Sequence, residues 1–118
     1  MNVKDYKEQI AETVERDMLD FMREYEDCGY TEKHVKKCVK LLESYIDSLA
    51  ALSAPDDASI MKCVEKTVLE LNGLNEQTDY ALIETEQREA VWEIIQNAAE
   101  ECGLSDPPDD VTEQWREW

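Results

Sequence analysis

The sequence predicts an all-α protein, a compact antiparallel bundle of four long helices followed by a short C-terminal helix. Three observations carry this expectation. Glycine and proline each occur only three times in 118 residues, so long elements can run uninterrupted. Apolar side chains recur three or four positions apart through most of the chain, the period of a helix buried along one face. The helix-breaking residues fall between those stretches, at Gly29, Pro55, Gly73, Gly103 and the pair Pro107 and Pro108. A chain of this size buries roughly two thirds of its unfolded surface, which suits one core and a single domain over residues 1–118.

The first helix is expected over residues 3–27, where Tyr6, Ile10, Val14, Met18, Phe21 and Tyr25 mark one face. Gly29 suits the left-handed closure of that helix, and Thr31 supplies an oxygen to cap the next. The second helix, about 32–52, alternates steps of three and four through Val35, Cys38, Leu42, Tyr45, Leu49 and Leu52. The short turn before it makes an antiparallel pair. Pro55 breaks the chain, because the residue before a proline avoids helical geometry, and Asp56 and Asp57 suit a helix start. A third helix then runs over about 57–72 on Ile60, Val64, Thr67 or Val68, and Leu71, with Gly73 as its stop. Leu74, Leu82 and Ile83 anchor a linker, and a fourth helix runs over about 85–102 on Val91, Ile94, Ile95 and Ala98. Asp110 and Glu113 have capping-box spacing, which predicts the last short helix with Trp115, Arg116 and Trp118.

Charge narrows the function. The net charge is −17, from 29 acidic and 12 basic residues. A field of that sign repels nucleic-acid phosphates and anionic membrane surfaces, so neither is an expected partner. Residues 75–118 hold 13 acidic groups against 2 basic ones, a balance of −11, so a basic partner protein would be steered to that third. Lys33, Lys36, Lys37 and Lys40 form the one basic patch, which suits balancing of nearby carboxylates or contact with an acidic surface such as a second copy. The expected state is monomer or homodimer.

Cys28, Cys38, Cys63 and Cys102 are far apart, with no C-x-x-C pair, and read as reduced packing residues of a cytoplasmic protein. The charged start, with Lys4, Asp5, Lys7 and Glu8, is unlike a signal peptide. His34 and Cys38, four apart, share a helix face, but two ligands do not make a metal site. No cofactor, metal or catalytic set is expected, since no phosphate loop or nucleophile elbow occurs.

Polar residues concentrate instead at the junction between the last two long helices. Asn72 and Asn75 are three apart, and an amide that both donates and accepts can tie a helix end to a linker or, with Glu76, face a ligand. Glu84, Glu86, Arg88 and Glu89 surround the next helix start and suit either helix capping or an acid, base and anion clamp. At the chain end, Trp115, Arg116 and Trp118 combine residue types that dominate interfaces, and they suit either a docking tail or a cover for the core.

The runs 71–76, 83–89 and 110–118 resemble those of a family of small bacterial proteins with no assigned activity, over about the last 48 residues. The resemblance implies a bacterial cytosolic protein whose three runs work together, with Glu84 or Glu86 meeting Arg88 or Arg116. The expected function is a non-enzymatic interaction protein, an adaptor, regulator or immunity-type inhibitor that binds a basic partner. The alternative is an enzyme or small-ligand site at the junction between Asn72 and Arg88, with Trp115 and Arg116 as its lid.

Overall fold

The apolar periodicity becomes four rods of helix around one core, and no strand forms. The computed structural model describes all 118 residues. The first rod comprises α1 (Val3–Ile10), a π-helical turn (Ala11–Glu15) and α2 (Arg16–Glu24), joined through helical backbone angles. Then come α3 (Glu32–Ala50), α4 (Asp57–Gln77) and α5 (Thr85–Glu101).

The π turn answers a mismatch in the sequence. Tyr6, Ile10, Val14 and Met18 follow one another at steps of four, whereas an α-helix needs 3.6 residues per turn. Each such step overshoots by about 40°, so three steps would carry the stripe about a third of the way round the rod. Wider winding over Ala11–Glu15 takes up the excess, and all four side chains stay buried. Thr13 donates its hydroxyl to the Gln9 carbonyl at 2.7 Å within this turn. The expected plain helix therefore carries a π turn, and it ends at Glu24 because Tyr25 is extended.

Local chemistry sets the other boundaries. At the start of α3 the Thr31 amide donates to Nδ1 of His34 at 3.1 Å, so the single histidine serves as a cap. Asp56 caps α4 by accepting from the Ser59 amide at 2.8 Å, which holds its carboxyl below the usual carboxylate range. Gly73 does not stop α4, which continues one further turn to Gln77. Leu71 and Leu74 are both buried, and their packing outweighs the roughly 1 kcal/mol that a helical glycine costs. The residues after Asp110 form hydrogen-bonded turns where a short helix is expected. The Asp110 carboxylate accepts from the Thr112 amide and hydroxyl, while the Glu113 amide reaches only the Asp110 backbone carbonyl, at 3.4 Å, so the expected capping box does not form.

Twenty-five buried apolar residues form one continuous core drawn from every rod, the linkers and the tail. Tyrosines lock its periphery. Tyr45 donates to the Ile95 carbonyl and Tyr30 to the Met18 carbonyl, both at 2.8 Å, while Tyr6 meets the Glu101 carboxylate. Cys38 is fully buried, and burial pushes its thiol up to about 12, so it is inert packing within the core. No helix is long and apolar enough to cross a membrane.

The glycines give a paired test of these boundaries. Gly73→Ala should raise stability by about 0.5–1 kcal/mol in urea unfolding, because a Cβ there meets nothing and the backbone is helical. Loss of stability would instead restore Gly73 as a helix stop. Gly29→Ala should cost about 1–3 kcal/mol, since φ is +89° and the added Cβ would lie 2.7 Å from that of Ala81.

Candidate functional site

The sequence groups Asn72, Asn75, Glu76, Glu84, Glu86, Arg88, Trp115 and Arg116 around one junction. The structure divides them between a closed polar network, a groove beside the first rod and an open cleft.

The closed network begins on α4. Asn75 is 1% exposed, and its Oδ1 accepts the Ile83 amide at 2.9 Å. Its backbone carbonyl accepts from the Thr78 amide, the Thr78 hydroxyl and the Tyr80 amide. This one residue thereby fastens the crossing from α4 to α5, in which Asp79 and Tyr80 take left-handed φ values of 54° and 65°. Such backbone is costly for residues other than glycine and persists where surrounding bonds over-determine it. Thr78 completes the crossing by accepting the Leu82 amide at 3.1 Å.

One helical turn earlier, Asn72 does the same for the tail. Its Nδ2 donates to the Trp115 carbonyl at 2.8 Å and its Oδ1 accepts the Glu117 amide at 3.1 Å. The tail lies against the core, with Trp115 and Trp118 half-buried upon it. Asn72 thus has both its oxygen and its nitrogen bonded within the chain and Asn75 its oxygen, while Glu76 is exposed to solvent.

Glu84 and Glu86 are exposed and line a groove of about 420 Å³ with Phe21 and Tyr25. Neither pairs with Arg88 or Arg116. Glu84 contributes its carbonyl, which accepts the Arg88 amide at 2.7 Å as the first bond of α5.

The cleft holds about 600 Å³ and is lined by Arg88, Glu89, Trp92, Glu93, Asp110 and Arg116. Helix α5 presents the first four as two adjacent stripes, Arg88 with Trp92 and Glu89 with Glu93, each pair four residues apart. The tail supplies the opposite wall. Arg116 pairs with Asp110 at 3.0 Å and lies 5.6 Å from the ring centre of Trp118, held by charge and by cation–π attraction together. Arg88 has no such partner. Among the basic side chains that are not exposed, Lys7 pairs with Asp47 and Arg116 with Asp110, while Arg88 forms neither ion pair nor side-chain hydrogen bond. The indole N–H groups of Trp92 and Trp118 are also buried without acceptors. Of the two arginines that line the cleft, Arg88 is the one without a partner in the chain.

Trp92 and Glu93 escape the sequence reading, which gives Asp110 only as a helix cap. The four-residue spacing of Arg88 and Trp92 is a signal for a shared face, but Asp110 reaches the cleft only through the fold of the tail. His34 and Cys38 do not converge, one being a cap and the other core, and no group of three or more His, Cys, Asp or Glu residues is placed to hold a metal.

Two variants test the closed network. Asn75→Ala should cost about 1–3 kcal/mol in urea unfolding, because it leaves the buried Ile83 amide unpaired. Removal of residues 115–118 should lower the melting temperature by roughly 4–8 °C for each kcal/mol of packing lost. Unchanged melting would show that the tail does not stabilise the fold.

No family model, curated protein or solved structure matches the chain. The resemblance of the three runs therefore brings no activity with it, and function is argued from the geometry alone.

Proposed function

We propose that this protein is a non-enzymatic interaction module, an adaptor, regulator or immunity-type inhibitor, whose acidic C-terminal third docks a basic partner protein. One observation carries the reading. Of the 13 carboxylates from Glu76 onward, only Glu101 and Asp110 take part in ion pairs, which leaves eleven without a basic partner in the chain. Like charges so placed raise the free energy of the folded chain and lower it again when a cationic surface covers them. The lysines of α3 do not perform this role, since Lys33, Lys37 and Lys40 reach no carboxylate.

Antiparallel packing of the rods belongs to the same reading. It is supported by contacts between the start of the first rod and the ends of α3 and α5, Lys7 with Asp47 and Tyr6 with Glu101. The reading takes the protein as cytoplasmic, as monomer or homodimer, and with no nucleic acid or membrane as partner. Buried, unpaired Cys38 supports the reducing compartment. The second reading, a small-ligand or enzymatic site, loses Asn72 and Asn75 to internal bonds but keeps the cleft at Arg88.

The test is in-cell cross-linking, identification of the joined protein, and titration of the purified pair. The partner should be basic, and its association rate should fall steeply with salt and drop about tenfold or more in the Glu89→Lys, Glu93→Lys double variant. An acidic partner, or a rate indifferent to salt and to charge reversal, would contradict the proposal.

A further inference from the structure

The geometry points to the cleft as a receiver for the C-terminal carboxylate of a basic polypeptide, with the Arg88 guanidinium holding the carboxylate and Glu89 and Glu93 meeting cationic side chains that precede it. The inference rests on the docking reading above and specifies which part of the partner enters.

Arg88 is the anomaly that motivates it. In a chain with 29 acidic residues, a half-buried guanidinium finds no carboxylate within 4.0 Å. Arg116 across the cleft is already occupied by Asp110, which keeps that wall in place and leaves Arg88 as the open charge. A guanidinium presents a planar fork of donors that fits a carboxylate in a bidentate manner. Trp92 lies one turn further along α5 and offers its ring as a surface for the last side chain of the incoming segment.

The surrounding charge selects the class of ligand. Glu89, Glu93 and Asp110 share the lining with the two arginines, and the whole molecule is at −17, so a bare anion such as phosphate would enter against the field. A ligand whose carboxylate is accompanied by positive charge meets no such barrier. A basic C-terminal tail has that pattern, and capture of a terminal carboxylate is a recurrent mode of peptide recognition.

The experiment uses a fluorescently labelled peptide pool, composed of lysine and arginine with a randomised last residue, prepared both as free acid and as C-terminal amide. Fluorescence anisotropy at low salt reads the affinity of each for the full chain. The free acid should bind at least about tenfold tighter than the amide, and Arg88→Met, which keeps the apolar stem, should erase that difference while leaving residual basic binding. Equal binding of acid and amide overturns the carboxylate inference and leaves the acidic docking reading standing. Failure of both forms to bind overturns the two together. Displacement of the peptide by free lysine at comparable affinity overturns the inference in favour of a small zwitterion. The comparison of acid with amide is made on the unaltered protein, so it does not depend on the variant folding.

Discussion

Two buried amides on one face of α4 are the constraint on which the crossing to α5 and the C-terminal tail depend. An amide away from water is tolerated only when its hydrogen bonds are made, and the penalty for leaving one unmade is about 1–3 kcal/mol. Asn72 bonds the backbone of the tail through both its nitrogen and its oxygen, and Asn75 bonds the crossing through its oxygen. Asn75 fixes the crossing and hence where α5 begins, which places Arg88 and Trp92. Asn72 fixes the tail, which places Asp110, Arg116 and Trp118 opposite them. The cleft is the space between two segments that the same helix turn holds.

Electrostatics then divides the molecule. Its ion pairs are mostly exposed, including Arg23 with Asp20 and Lys36 with Glu32, and pairs of that kind contribute little to stability. The pair that shapes a site is Arg116 with Asp110, both about three quarters buried. Stability comes from the apolar core, while the unpaired carboxylates of the C-terminal third work against it. The uncompensated charge beside an unpaired guanidinium is the physical basis of the docking proposal.

Much of the fold is legible in the residues. The seam of α3 and the starts of α4 and α5 follow from apolar spacing and capping chemistry, and they lie where those rules put them. The discrepancies have identifiable causes. Steps of four through Tyr6, Ile10, Val14 and Met18 look like a helix face, yet their sum exceeds the α-helical period and requires the π turn. Gly73 resembles a stop because glycine often closes helices, but buried Leu74 and Asn75 hold the next turn in helical form. At the site, the short-range signals at Arg88 and Trp92 are present in the sequence. The wall formed by Asp110 and Arg116 arises from contacts more than forty residues apart, Asn72 with Trp115 and Glu117, which no local pattern encodes.

The claim that Asn72 holds the tail and so builds the cleft is tested most directly by amide hydrogen exchange at Glu117, followed by NMR. That amide donates to Asn72 Oδ1 at 3.1 Å in an otherwise exposed residue near the chain end. The account predicts exchange about tenfold or more slower than in an Asn72→Ala variant. Exchange at the rate of an unstructured terminus in the unaltered protein would contradict it.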